Sequence, residues 1–345
     1  MFSASAQLRI SRPSRRFFRA ALLAALLLCC LLLTGCRQRD PLAAIVSTAT
    51  DITVPLPAPD AALPRQESVT LWFRLGTEAL LAPETRTITL TPAAPYELTL
   101  LQALTGGPSA SSLELNGLFP PGTKVLSTHL QGRTLFVTLS RQIMNDFADE
   151  PSAWASNAAW AAEVPLRRHL AMQAIAATVT ENCDVDQVVI LVEHTARSGD
   201  SLRLRQGYYR SGDADANALA APLHRDESVL LTPGNTLAVI LDCWQMQDWA
   251  RLYPFISRTD AATGEVRPAY DAFAARMDAL PPLTDYTAST GSVSQDGQSA
   301  VFSVRLSLLS NGQEYAAEGT LRLHREKGIW RISLSQFTGR EGDLP

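Results

Sequence analysis

The chain has 345 residues, with 30 Lys and Arg against 34 Asp and Glu and a formal net charge of −4. Five of the basic residues and none of the acidic ones lie in residues 1–35, so residues 36–345 carry 25 basic and 34 acidic side chains, a net charge of −9. An acidic body of this kind excludes electrostatic attraction to nucleic acid or to anionic lipid headgroups. Nucleic acid is therefore not an expected partner.

The N-terminus has the features of an export signal. Residues 1–19 contain five arginines and no acid, and Ala20 to Leu33 is an uninterrupted apolar stretch of 14 residues. A helix that spans a bilayer needs about 20 apolar residues, so this stretch is short for a span. It ends in Leu33-Thr34-Gly35-Cys36, where small residues precede a cysteine.

This pattern resembles a bacterial lipoprotein signal. The resemblance implies that Cys36 receives a diacylglyceryl thioether and becomes the mature N-terminus once residues 1–35, the signal peptide, are removed. The expected location is then the extracytoplasmic face of the cell membrane, where the N-terminal lipid holds the protein. An uncleaved signal anchor is the alternative.

Two small domains are expected behind this anchor. Residues 36–66 comprise the lipidated cysteine and a Pro/Ala-rich tether, with five prolines and no sustained helical or strand period. The remaining length exceeds one ordinary domain. The patterns described below predict a first domain at 67–210, a linker at 211–234, a second domain at 235–338 and a C-terminal tail at 339–345.

The first domain is predicted to be a mixed α+β unit. Its expected elements are strands at Val69–Arg74 and Thr85–Leu90, a helix at Tyr96–Leu104 stopped by Gly106-Gly107-Pro108, a hairpin of Val125–Leu130 and Thr134–Leu139, a helix up to about Glu181, and a strand at Gln187–Glu193. The second helix is expected to begin at Pro165, because a proline is tolerated in the first turn. The strand at Gln187–Glu193 is nearly all apolar and should be central. Leu202–Tyr209 is a further candidate strand, and Gly212–Pro222 lacks a pattern and is interpreted as a loop.

This order of elements resembles the GerM domain of sporulation and spore germination lipoproteins. The resemblance covers Ser68 to Glu193 and is most specific over Leu118 to Ser140, which includes the sequence LFPPGTKVLS. The sequence departs from the family at Phe119 and in the insertion Asp146 to Ala162. The resemblance implies a small non-catalytic module, similar to the ring-building domains of sporulation and secretion machinery, that works in extracytoplasmic assembly. The family offers no catalytic residues to carry over.

The second domain is predicted to be helices followed by an antiparallel meander. Apolar residues at helical spacing mark two helices: Leu237, Ile240, Leu241 and Trp244, then Tyr270, Phe273, Ala274, Met277 and Leu280. Reversals are expected at Asp296-Gly297, Asn311-Gly312 and Lys327-Gly328. Phe302 to Leu308 and Trp330 to Leu334 alternate in polarity, which predicts a half-buried sheet whose polar face includes Arg331 and Ser333. Helices followed by a curved antiparallel sheet resemble the NTF2-like cone fold, over about Thr236 to Phe337.

Cones of the NTF2-like type can hold a pocket, and its tentative residues here are Asp242, Trp244 and Trp249. We expect these side chains, with Tyr253, to lie on the first helix of the second domain, where an acid such as Asp242 would be able to act as a base. The alternative is that Trp244 belongs to the core and Asp242 is solvated or caps a helix.

Other chemical motifs are weak. Residues 199–202 read GDSL, but the Asp-x-x-His partner that Ser201 would need is absent, which favours a polar turn between strands. Asp184 and Asp186 lack the glycine and the closing glutamate of a calcium loop and are expected to be turn carboxylates. The five histidines never occur at metal-ligand spacing. No catalytic residue, cofactor or metal is therefore predicted.

The two remaining cysteines, Cys183 and Cys243, fall in different predicted domains. A disulfide between them is one interpretation, because the protein is expected to be exported. Two free, buried thiols are the favoured one.

The expected function is non-enzymatic. The chain is interpreted as a lipid-anchored protein of a Gram-positive, spore-forming bacterium that acts in sporulation or germination through envelope protein assembly, with other envelope proteins or its own copies as partners. The alternative is a sensor lipoprotein whose C-terminal cone binds a small ligand or a peptidoglycan fragment, and an enzyme is third. A deep pocket at Asp242 would favour the sensor, whereas a filled cone and an exposed sheet edge on the first domain would favour assembly.

Overall fold

The computed structural model describes residues 63–194, 200–210, 215–260 and 262–337. The predicted signal peptide, Cys36, most of the tether and most of the C-terminal tail lie outside these residues. The fold class is α+β, as predicted: the described residues contain strands in three sheets and five α-helices.

The first half of the described chain contains two sheets and two helices. In chain order its elements are β1 (Arg65–Leu75), β2 (Leu81–Leu90), α1 (Tyr96–Thr105), β3 (Leu115–Asn116), β4 (Val125–Gln131), β5 (Thr134–Leu139), α2 (Ala158–Asn182), β6 (Gln187–Glu193) and β7 (Ser201–Arg203). One sheet has the order β2-β1-β3 and the other the order β4-β5-β6-β7. Strands β5 and β6 are parallel, and α2 provides the crossover that a parallel pair requires.

The core of this half lies between the two sheets and the helices. Leu71 and Phe73 of β1, Leu135 and Val137 of β5, and Ile175 of α2 are all less than 2% exposed and belong to one apolar cluster. The predicted helix at Tyr96, the hairpin and the central strand Gln187–Glu193 are confirmed. Each carried a local signal, such as a glycine stop, a tight turn or a continuous apolar run.

Two expectations for this half are wrong. Helix α2 begins at Ala158 rather than at Pro165, because the Asn157 side chain caps it by accepting hydrogen bonds from the Ala159 and Trp160 N–H groups at 3.1 and 3.4 Å. The strand predicted at Leu202–Tyr209 ends at Arg203, and a 3₁₀ turn at Gln206–Tyr208 follows.

The second half consists of helices followed by antiparallel strands. Its elements are α3 (Pro233–Met246), α4 (Trp249–Leu252), α5 (Tyr270–Asp278), β8 (Leu283–Ala288), β9 (Ser292–Val293), β10 (Ser299–Ser310), β11 (Gln313–Glu326) and β12 (Ile329–Ile332). The sheet has the order β12-β11-β10-β8, and β9 pairs with β10. The three predicted reversals are confirmed, and this is the arrangement that the NTF2-like resemblance implies.

Two further expectations are corrected here. Trp249 and Tyr253 do not share a helix with Asp242, because α3 ends at Met246 and Gln247 follows with a left-handed φ of 55°. Arg331 and Ser333 do not face solvent, and each is only 1% exposed. The alternation of polarity in β12 is real, but both of its faces are covered.

The two halves share packing at a junction. Residues 62–345 group as one compact unit, and Leu75, Leu80 and Ala82 of the first half belong to the apolar cluster of the second. The Leu231 N–H donates to the Leu81 carbonyl at 2.7 Å. At Gly328 (φ 87°) a Cβ would lie 2.7 Å from the Pro83 carbonyl oxygen, so the close approach there requires a glycine.

Candidate functional site

The most exposed strand of the first half is β4, at one end of the sheet β4-β5-β6-β7. Among the described residues, no strand pairs with its outer edge. The register shifts between Val125 and Ser127, and the strand then runs regularly to Gln131 opposite β5. Leu126 and Leu130 are 43% and 46% exposed. The outer edge of β4 is therefore free of a strand partner within the described residues, and two exposed apolar side chains lie on the same strand.

The cavities among the described residues include two grooves and a smaller cavity. A junction groove of about 680 Å³ is lined by both halves and balances three carboxylates against three cations: Glu84, Glu114 and Glu181, and Arg258, Arg325 and Lys327. A smaller cavity of about 270 Å³ lies around Ser257, Asp260 and Arg267. The third, which we call the arginine groove, has a volume of about 560 Å³.

The arginine groove lies at the β7 end of the sheet. Its cationic residues are Arg141, Arg168, Arg203 and Arg205, and its apolar residues include Met144, Val192, Leu202, Leu204 and Tyr208. The 3₁₀ turn Arg141–Met144, helix α2, strand β6, and strand β7 with the segment after it supply these side chains. Nothing in the sequence marked this cluster, because its arginines are scattered over three separate elements.

The tentative pocket residues are in the second half, and none of them lines the three cavities. Trp244 is 3% exposed and packs edge-on against Phe337, with ring centroids 5.3 Å apart. Trp249 is 7% exposed, and its Nε1–H donates to the Asp278 carboxylate. Asp242 is half-buried and accepts a hydrogen bond from the Tyr286 hydroxyl at 2.7 Å. Burial and this bond raise the pKa of Tyr286 to about 12.

The aspartates and the serine of the weak sequence motifs have structural roles in the fold. Arg133 donates to both oxygens of Asp186, at 2.6 and 2.7 Å, and also pairs with Asp184. These hydrogen bonds lower the pKa of Asp186. Ser201 begins β7 opposite Glu193. Within the described ranges, no group of His, Cys, Asp and Glu side chains is arranged to hold a metal ion.

Cys183 and Cys243 are free thiols in the structure, the first half-buried and the second buried. Burial raises the pKa of both to about 12. The thiolate, which is the nucleophilic form of cysteine, is therefore scarce at neutral pH at either position.

The predicted lipidation site, Cys36, lies outside the described residues. In the part of the chain that is described, no helix has both the length and the apolar character needed to cross a bilayer. Lipidation and location remain predictions.

Solved structures that are similar to this chain include GerMN domains and an NTF-2 like protein. The tandem GerMN domains of the sporulation protein GerM from Bacillus subtilis are 15% identical over 54% of this chain and 51% of theirs, with a TM-score of 0.31. The first GerMN domain alone is 15% identical over 46% of this chain and 98% of its own, with a TM-score of 0.28. An NTF-2 like protein of unknown function from Shewanella oneidensis is 15% identical over 29% and 90%, with a TM-score of 0.23.

This chain thus spans about half the length of the tandem-domain structure. A comparison with curated proteins gives no match. Residues 72–197 match the family Germane, described as sporulation and spore germination, and this span confirms the resemblance seen over Ser68 to Glu193. The part of the first half that begins within β1 and extends past the end of β6 is therefore similar to the Germane domain of the sporulation and spore germination family.

Proposed function

We propose that this chain is a non-enzymatic lipoprotein of a Gram-positive spore former that is anchored at Cys36 on the extracytoplasmic face of the membrane. In this proposal it acts in sporulation or germination by assembling with other envelope proteins or with its own copies. The match of residues 72–197 to the Germane family supports the proposed role in sporulation or germination. The observation that carries the assembly role is the free outer edge of β4.

A free strand edge is a suitable assembly surface because its unpaired N–H and C=O groups can accept a strand from another chain. Residues Ser127 to Gln131 run regularly along this edge. They contain no charged Lys, Arg, Asp or Glu, which are the residues that commonly protect edge strands from pairing. Leu126 and Leu130 would gain burial in such a pairing.

The second half supports a structural role rather than catalysis. Its helices cover the sheet, and the space between them is filled by buried apolar side chains that include Trp244, Phe302 and Phe337. The Asp242 carboxylate is engaged by Tyr286. This packing corresponds to the filled cone that favours assembly over ligand sensing.

The test is site-specific photocrosslinking in a sporulating host. A photoreactive side chain at Ser127 of the full-length protein should give discrete adducts, because Ser127 is exposed on the β4 edge. Leu130→Lys should reduce the adduct yield by about tenfold, equivalent to ~1.4 kcal/mol of pairing free energy, because a lysine on the edge must be desolvated when a strand is added.

The matched control is Leu309→Lys, which changes another exposed leucine, 39% exposed on β10 of the second half. It should leave the adducts unchanged. Adducts that are absent from the unmodified protein, or equally abundant in the Leu130→Lys protein, would contradict assembly through β4.

A further inference from the structure

We propose that the arginine groove binds an acidic peptide segment of a partner protein, with its carboxylates on the guanidinium groups and an apolar side chain against the groove wall. This site lies at the opposite edge of the sheet from β4, because β7 and β4 are the two end strands of that sheet. The inference does not depend on assembly through β4.

The first argument is uncompensated charge. Four arginines line the groove, and Glu193 is the one carboxylate among its lining residues. Neither the Arg141 nor the Arg203 side chain has a carboxylate partner among the described residues, whereas most other arginines there have one, such as Arg133 with Asp186. Arg168 is paired with Glu150 at 3.4 Å, so the unpaired positive charge of the groove is carried by Arg141, Arg203 and Arg205. In an acidic protein this local concentration of positive charge favours an anion.

The second argument is unsatisfied hydrogen-bonding capacity. The Nε atoms of Arg168 and Arg203 are buried and have no acceptor within the described part of the chain. Leaving a buried donor unpaired costs about 1–3 kcal/mol, which a bound acceptor would offset. The Arg205 Nη1 donates only to the Asn217 carbonyl, at 2.6 Å, so the other donors of its guanidinium remain available.

The third argument is pre-organisation. The Arg168 guanidinium lies 5.1 Å from the ring centroid of Tyr208 and 5.6 Å from that of Trp154. The Tyr208 hydroxyl is in turn fixed by donation to the Ile143 carbonyl at 2.7 Å. The two rings and Glu150, 3.4 Å from the Arg168 Nη2, hold this guanidinium in place, so its remaining donors lose little conformational entropy when they bind a carboxylate.

The apolar lining decides between kinds of anion. Met144 and Leu202 are 50% and 54% exposed beside the arginines. A phosphate polymer or an acidic sugar has nothing to cover these side chains, whereas a peptide that alternates acidic and apolar residues does. Exposed apolar surface next to ordered cations is typical of a peptide-binding groove.

The test uses the full chain in detergent and three fluorescent probes: the peptide Glu-Leu-Glu-Leu-Glu, its Gln-Leu-Gln-Leu-Gln analogue and inorganic polyphosphate. The Glu/Leu peptide should bind saturably, more weakly as salt increases, and at least about tenfold more tightly than the Gln/Leu peptide. The paired substitution Arg141→Gln with Arg203→Gln should weaken binding by about tenfold or more.

Neither of these two arginines has a carboxylate partner in the part of the chain that the structure describes, so their replacement should leave folding intact. Arg322→Gln is the matched control, because Arg322 is exposed on β11 and its side chain forms no hydrogen bond or ion pair with the described residues. The proposal is overturned by absence of binding at about 1 mM peptide, by equal affinity of the double-substituted protein, or by polyphosphate that binds more tightly than the peptide with the same arginine dependence.

Discussion

Arg331 is the largest side chain that the described residues bury almost completely. Its Nη2 donates to both carboxylate oxygens of Glu114, at 2.7 and 2.8 Å, and its Nη1 donates to the Pro254 carbonyl. Its Nε lies 3.2 Å from Glu326 but without hydrogen-bond geometry. Glu114 belongs to the first half of the chain and Arg331 to the second, so this ion pair connects the two halves. A buried cation of this kind depends on its carboxylates for compensation.

Glu114→Gln should therefore destabilise the protein. The amide retains an acceptor oxygen but loses the charge, and Glu114 is itself 29% exposed, so we expect a loss of about 1–3 kcal/mol in the free energy of unfolding. Denaturant unfolding of the full chain in detergent measures it. The control is Glu318→Gln, in an ion pair with Arg305 whose two side chains are each 66% exposed, where the expected change is below about 0.5 kcal/mol. Equal small effects in both variants would show that Glu326 alone compensates Arg331.

At the scale of the element, α2 contains a proline in an unusual place. Pro165 lies in the eighth position of a helix that begins at Ala158. A proline has no N–H, so the Ala161 carbonyl, four residues earlier, loses its helical partner. Asn157 caps the helix upstream of this gap. The cap and the packing of the first turns therefore maintain the helix across a residue that would ordinarily end it.

Pro165→Ala should consequently stabilise the protein, by up to about 3 kcal/mol, because it restores one helical hydrogen bond and a residue of high helix propensity. Thermal and denaturant unfolding measure the change. Pro233→Ala is the matched control: Pro233 occupies the first turn of α3, where its missing N–H has no helical partner, so the expected change is within about 0.5 kcal/mol. A loss of stability in Pro165→Ala would show that the proline ring is needed for packing.

Elements with a strong local signal could be predicted from the sequence. The three hairpins of the second half follow their dipeptides, and Asn311 and Lys327 take positive φ values of 51° and 50° as such tight turns require. The start of α2 could not be predicted from the proline rule, because the signal that decides it is the capping side chain of Asn157. Strand β7 is short because the chain turns into the 3₁₀ turn that brings Tyr208 to Ile143.

Sites depend on contacts between distant residues, and here the sequence was less informative. Arg331 looks like a solvent-facing strand residue until its partner, 217 positions away, is known. The arginine groove is built from positions 141, 168, 203 and 205, which share no spacing pattern. The Germane domain could be identified, in contrast, because its order of elements and the turn after Leu118 are contiguous in the chain.

For the whole molecule, the anchoring proposal depends on Cys36. Cys36→Ala should remove the lipid acceptor, so the protein should leave the membrane fraction or accumulate as unprocessed precursor. Fractionation and a mass measurement of the N-terminus test this outcome. Cys183→Ala, which changes a half-buried thiol of the Germane domain, is the control and should stay lipidated and membrane-bound. Normal processing and membrane retention of the Cys36→Ala protein would contradict the lipoprotein proposal.

The proposed division into two domains at residues 211–234 remains a prediction. The contacts at the junction indicate how the two halves would unfold. The Leu81 carbonyl, from the first half, accepts a hydrogen bond from Leu231, and Arg251 holds Glu78 through a bidentate pair with contacts of 2.7 and 2.8 Å. Glu78 is 8% exposed. Breaking the junction would therefore expose a carboxylate and an apolar surface together, which favours unfolding of both halves in one transition.

The β1–β2 hairpin contributes residues to both apolar clusters. Leu71 and Phe73 pack in the first cluster, whereas Leu75, Leu80 and Ala82 pack in the second. Strand β1 is also the first described strand after the predicted tether, starting at Arg65. Mechanical tension applied through the proposed lipid anchor would thus enter at the exposed N-terminal end of β1, and the C-terminal half of the same strand is the part that packs in both clusters.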